Sequence, residues 1–142
     1  MMAYKIVVVD DHALIRHFIR RILADGNDLQ VVGEAGDGEE LLGLLDDTPA
    51  VPDMVILDLS MPGMGGIEAA RRIRRKHTGV KVLILTVQKD RVSLRNAMAA
   101  GVSGYVLKDD ACDELLPCIE ALRRGRTYLS HHLTSSGENL SA

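Results

Sequence analysis

Aromatics and cysteine are scarce in this chain and long apolar runs are missing, which narrows what it can be. Of 142 residues, none is tryptophan, one is phenylalanine and three are tyrosine. The two cysteines, Cys112 and Cys118, lie six positions apart on a predicted helix. Their axial separation of roughly 9 Å exceeds the reach of a disulfide. With no histidine close by they also lack the ligand spacing of a zinc site, so they are read as reduced residues of a reducing compartment. No apolar stretch approaches the ~20 residues that span a bilayer, and the N-terminus lacks a signal-peptide pattern. No membrane partner is therefore expected, and cytoplasm is the default location. A net charge of −3 argues against nucleic-acid binding by the chain itself.

What is present is an alternation of strand and helix signals over a length suited to one domain with a real core. Short β-branched runs without apolar–polar alternation read as buried parallel strands at Lys5 to Asp10, Met54 to Asp58, and Gly104 to Lys108. Further strands are expected at Leu29 to Glu34 and Lys81 to Thr86. Between them the spacing predicts helices near His12 to Asp25, Glu39 to Asp47, Ile67 to His77, Arg91 to Ala100 and Ala111 to Arg124. In the first helix Leu14, Ile15, Phe18, Ile19, Ile22 and Leu23 form one stripe. In the fourth, Val92, Leu94, Ala97 and Met98 are the inward candidates. Pro49 and Pro52 end the second helix, and Pro117 removes a backbone donor inside the last. Five strand–helix alternations imply a parallel sheet covered by helices on both faces, an α/β fold with three layers. From Arg126 onward the composition turns polar, and roughly Thr127 to Ala142 reads as a linker or mobile terminus that includes His131 and His132.

Three of the runs end in charge. Asp10 and Asp11 close the first, Asp58 the third and Lys108 the fifth. Carboxyl ends of strands line the crevice of an open α/β sheet, so these groups converge on one small site. Clustered carboxylates repel unless a cation neutralises them, which implies a divalent metal. Asp58, alone at a central strand tip, is the candidate nucleophile for a phosphoryl group. Mg²⁺ and Lys108 would clamp the equatorial oxygens, and the Thr86 hydroxyl could take a third. Each residue also has an ordinary role open to it: a turn cap for Asp11, a solvated lysine, a strand threonine, and core packing for Tyr105. Their coincidence at one end of successive strands favours the site.

The motifs VVVDDH, ILDLSMPGMGG, LILT and GYVLK resemble the receiver domain of bacterial two-component response regulators, over about Tyr4 to Gly125. GYVLKDD and GRTYLS are similar to the NarL/FixJ subgroup, whose output is LuxR-type. The resemblance implies a doubly wound (βα)5 flavodoxin-like fold with strand order 2-1-3-4-5. It implies Asp58 as phosphoacceptor and Mg²⁺, or Mn²⁺, held by Asp10, Asp11, Asp58 and the main-chain carbonyl of Ser60. Thr86 is then the switch hydroxyl, Lys108 the phosphate-binding lysine and Tyr105 the rotating aromatic. The partners implied are a sensor histidine kinase, with a homodimer left open, and DNA only through an output domain.

On this reading residues 1–125 form the receiver, 126–142 a polar linker or tail, and a DNA-binding output domain is absent from the chain. The domain would catalyse only its own phosphorylation and dephosphorylation. Two positions depart from the common pattern: Val87 follows Thr86 where a small residue is usual, and Asp109 follows Lys108 in place of proline. Ser60 and Gln88 occupy positions that tune dephosphorylation in the family. The alternatives weighed are a phosphorylation-independent dimerisation module and an aspartyl-nucleophile phosphatase. The second lacks an acid/base two residues after Asp58, where Ser60 stands.

Overall fold

Strands without alternation are stable only where both faces of their sheet are covered, and this sheet is covered on both sides. A computed structural model describes residues 3–47 and 51–135. The strands are β1 (Tyr4–Val9), β2 (Leu29–Ala35), β3 (Met54–Leu57), β4 (Lys81–Thr86), β5 (Gly104–Leu107) and β6 (Tyr128–Leu129). The helices are α1 (Ala13–Leu23), α2 (Gly38–Asp47), α3 (Gly66–Lys76), α4 (Arg91–Ala99), α5 (Ala111–Arg123) and α6 (His131–Ser135), with a 3-10 turn over Lys108–Asp110. The sheet order is β2-β1-β3-β4-β5-β6 with every pairing parallel. The expected order 2-1-3-4-5 is present, extended by one strand.

Alternate residues of each central strand feed two cores. Ile6, Val8, Ile56, Leu83 and Leu85 pack under Ile19 and Leu23 of α1 and Leu115, Ile119 and Leu122 of α5. Val7, Val9, Val55, Leu57 and Ile84 pack under α2, α3 and α4 through Leu41, Leu45, Ile73, Leu94 and Ala97. The chain leaves β1 for β2 on one side and returns to β3 on the other. Strand order therefore reverses between β1 and β3, and a crevice opens past their carboxyl ends. Asp10 follows β1 and Asp58 follows β3 at this point.

Several expectations need correction. Of the α1 stripe, Leu14 is 76% and Phe18 39% exposed, whereas Ile19 and Leu23 are buried. The six apolar residues span two helical rows, and the sheet covers only one of them. Val92 is 65% exposed, so Leu94 and Ala97 alone are fully inward on α4, with Met98 half-buried. Lys108 opens the 3-10 turn past β5 and is not part of the strand.

The largest difference is at the C-terminus. Residues expected in a polar tail form β6, which pairs Tyr128 with Gly104 and Leu129 with Tyr105. Tyr128 and Ser130 donate their amides to Ser103 and Tyr105 carbonyls at 3.0 and 2.8 Å. Ser130 is fully buried and Leu133 nearly so. A two-residue strand has no periodicity to read, and its hold is hydrogen bonding to the edge of β5. The remainder of the expected tail, residues 136–142, lies outside the described residues, as does the Pro49 stop.

Candidate functional site

The site is built by three loops that leave β1, β3 and β5 at the same edge. Asp10 is 1% and Asp58 5% exposed, a depth at which a carboxylate must be paired. Lys108 pairs both: its Nζ lies 2.8 Å from Asp10 Oδ2 and 3.0 Å from Asp58 Oδ2. The other carboxylate oxygens accept main-chain amides, His12 N to Asp10 Oδ1 at 2.9 Å and Leu59 N to Asp58 Oδ1 at 2.7 Å. Among the described residues no buried side-chain nitrogen or oxygen lacks a hydrogen-bond partner.

The charges respond to these contacts. Burial pushes the Asp10 carboxyl upward, but the Lys108 hydrogen bond, aided by the His12 amide, outweighs it and leaves Asp10 below its ordinary value. Burial pulls the Lys108 ammonium down, and hydrogen bonds to Asp10 and Asp58 carry it above its ordinary value. Asp10 and Lys108 thus hold each other ionised.

Asp11 is exposed, with Oδ1 3.1 Å from His12 Nδ1. Asp10, Asp11 and His12 offer ligand atoms that lie within 4.8 Å of one another. Two carboxylates beside the crevice form a hard oxygen donor set, the chemistry that suits Mg²⁺ or Mn²⁺. The residues fit the cation that the sequence led us to expect. Asp58 lies outside this trio and is joined to it through Lys108. His12 belongs to the cluster although its sequence position gave no reason to count it as a ligand.

Thr86 and Tyr105 lie on the neighbouring strands β4 and β5, and both are buried. Gln88 links them, donating its amide to Thr86 Oγ1 at 3.3 Å and accepting the Tyr105 hydroxyl on its carbonyl at 2.8 Å. Burial, with Asp90 and Asp58 nearby, pushes the Tyr105 phenol well above its usual value. The Gln88 side chain donates to Ser60 Oγ and accepts from Ser93 Oγ at 2.6 Å. Ser93 in turn donates its amide to Asp90, the N-cap of α4, at 2.9 Å. Ser60, Thr86, Tyr105 and the start of α4 are therefore joined through one glutamine, a connection the sequence does not announce. Val87 is exposed and so is not wedged into this network.

Gly66 explains the glycine-rich loop after Asp58. A Cβ there would sit 2.2 Å from the Asp58 carbonyl oxygen and 2.8 Å from Leu59 Cα. Only glycine lets α3 start against the backbone that carries Asp58.

This arrangement can be set beside known proteins. The model of the response regulator receiver domain matches residues 6–120. The chain belongs to that family. The receiver domain is 40% identical over 126 residues to the response regulator GacA of Pseudomonas aeruginosa, which covers 89% of this chain and 58% of that protein. It is 42% identical over 125 residues to the response regulator UvrY of Escherichia coli K12, covering 88% and 56%. The chain thus spans under three fifths of the length of these relatives. A two-component response regulator of the LuxR family from Aurantimonas superposes with a TM-score of 0.87 at 38% identity, covering 94% of each chain. The isolated receiver domain of RcsB from Salmonella, solved with the phosphomimetic BeF3−, gives 0.86 at 26% identity, covering 94% of this chain and 97% of that one. These relatives support the NarL/FixJ subgroup, and the domain is a two-component phosphoacceptor module. No helix among the described residues is long and apolar enough to cross a membrane.

Proposed function

We propose that Asp58 is the phosphoacceptor. An Asp58 carboxylate oxygen forms the new P–O bond as the P–N bond of a histidine-kinase phosphohistidine breaks, and the imidazole leaves with the electron pair. The observation that carries this reading is the bridging of Asp58 and Asp10 by the one ammonium of Lys108. An incoming phosphoryl group competes for that ammonium, so Lys108 can pass from carboxylate to phosphoryl oxygen without leaving the crevice. Asp10, Asp11, Asp58 and the Ser60 carbonyl would hold Mg²⁺ or Mn²⁺, which when bound neutralises the equatorial oxygens. Slow hydrolysis of the acyl phosphate, catalysed by the domain itself, would reset it.

The added charge draws the Thr86 hydroxyl toward the phosphoryl group, away from the Gln88 amide. Because Gln88 also carries the Tyr105 hydroxyl and reaches the start of α4 through Ser93, the change travels to the α4–β5–α5 surface. In the whole regulator we propose a sensor histidine kinase as donor, a homodimer as one assembly state, cytoplasmic location, and transcription control through a DNA-binding output domain beyond the receiver. RcsB, a structural relative, is described as dimers bound to DNA. We place the end of the five-fold βα receiver unit near Gly125, with β6 and α6 packed onto it as an extension of the same sheet and core.

Intact mass after incubation with acetyl phosphate and Mg²⁺ tests the chemistry. One added phosphoryl group is expected, absent in Asp58→Asn and absent without the cation. No adduct in the parent chain would remove the phosphoacceptor assignment and favour a phosphorylation-independent dimerisation module.

A further inference from the structure

Arg16 lies one turn into α1, and its side chain runs back over the β1–α1 junction, the direction helical side chains favour. Its Nη1 donates to the Asp10 carbonyl at 2.5 Å and its Nε to Glu34 Oε1 at 2.9 Å. Glu34 is itself held, since its second oxygen accepts Arg20 Nη1 at 2.9 Å. β1 ends at Val9, so the Asp10 carbonyl is past the strand. The other face of the same residue is fixed as well, with the Asp10 amide donating to the Ala35 carbonyl at 3.1 Å. Glu34 and Ala35 are adjacent at the end of β2, so β2 grips Asp10 twice, directly through Ala35 and at one remove through Arg16.

We propose that Arg16 is the positioning residue of the acidic pair, a planar fork between Glu34 and the Asp10 carbonyl that sets the Asp10–Asp11 peptide so that both carboxylates face one cation. This rests on reading Asp10 and Asp11 as the metal ligands. Arg16 touches neither carboxylate. Its effect on them runs through the peptide that joins them, as outer-shell partners orient metal ligands elsewhere.

Geometry and field make opposite demands here. If Arg16 acted only as a positive charge near the site, its removal would tighten cation binding. If it acts by orienting the ligands, removal weakens binding. A lysine keeps the charge but cannot span both partners with a rigid fork.

Calorimetric titration of the full chain with MgCl2 decides between them, with thermal unfolding in the absence of cation recording the structural cost. Arg16→Gln should bind Mg²⁺ about 10-fold more weakly than the parent, the lower end for outer-shell losses. Arg16→Lys should fall between the two. Equal or tighter binding in Arg16→Gln overturns the proposal, and so does Arg16→Lys indistinguishable from the parent. Should Arg16→Gln melt below the assay temperature, Arg16→Lys is read in its place, with weaker binding expected. A parent chain that binds no Mg²⁺ overturns the metal-ligand reading and this proposal with it. Loss confined to the Arg16 variants leaves that reading standing.

Discussion

Replacing Lys108 with methionine removes the one cation that both buried carboxylates share. Methionine is one atom shorter but keeps an unbranched apolar stem, so packing beside the crevice changes little. Asp10 and Asp58 would then face each other nearly dry, both oxygens that had accepted from Nζ left without a donor. Breaking a buried ion pair from one side costs about 3–5 kcal/mol, and repulsion between two carboxylates ~5 Å apart contributes about 3 kcal/mol at an effective dielectric of 20. These are two views of one loss, so at pH 7 without divalent cation Lys108→Met should be less stable than the parent by about 3 kcal/mol.

The pH dependence gives a sharper test. In the parent, the depressed Asp10 value supplies stability above its unfolded value, and this is lost as pH falls through the folded one. The raised Lys108 value supplies stability fully present below its unfolded value and lost as pH rises through the folded one. In Lys108→Met the first effect reverses, because a carboxyl stripped of its partner and still buried prefers its proton. The variant should gain stability as pH falls from 7 toward 5 while the parent holds or loses it. Mg²⁺, taking the place of the lost ammonium, should stabilise the variant more than the parent. Urea titrations at several pH values, with and without MgCl2, measure all of this. A variant as stable as the parent at pH 7 without cation would refute the argument, because the carboxylates would then be solvated and not held by Lys108.

Other perturbations follow from single contacts. Gly66→Ala forces the start of α3 away from the Asp58 carbonyl, and urea unfolding should register a loss of about 1–3 kcal/mol. Full stability would mean that α3 does not press on that backbone. Tyr105→Phe leaves the half-buried Gln88 carbonyl short of a donor and should cost about 1 kcal/mol in the same assay; an unchanged midpoint would show that the hydroxyl bond carries nothing. His132, its Nδ1 2.8 Å from Asp110 Oδ1, is raised above its ordinary value chiefly by that hydrogen bond. Its contribution is therefore full below about pH 6.5 and lost as pH rises through the raised value. On the acid side, Asp110 is pushed up by burial and pulled further down by Ser130 and His132, so its part is lost as pH falls through that depressed value. Proton NMR titration should give a His132 midpoint that drops in Asp110→Asn, and a midpoint indifferent to that change would dissolve the pair.

The contrast between what could be read from the residues and what could not has a physical origin. Asp10, Asp58 and Lys108 are legible because a parallel sheet places consecutive strand ends at one edge, so topology alone brings together residues far apart in sequence. The same logic could not find Arg16, since its task is set by one helical turn folding back on a carbonyl, nor Gln88, which works through its main chain as much as its side chain. Nor could it find β6. Ser130 is buried because Asp110 Oδ2 accepts its hydroxyl at 2.6 Å, and Glu114 accepts both the Tyr128 hydroxyl at 2.8 Å and the His131 amide at 2.9 Å. Polar composition reads as solvent-facing because its partners are invisible until the chain is folded. Here those partners, Asp110 and Glu114, begin two residues after Lys108, in the turn that leaves the site. The segment from Tyr128 to Leu133 is therefore fastened to the stretch of chain that carries the lysine on Asp58. Ser130 thus meets both ends of that turn, its oxygen accepting the Leu107 amide at 3.4 Å and its hydroxyl donating to Asp110 at 2.6 Å, so the polar residues of the tail are ordered by the same few positions that carry Lys108.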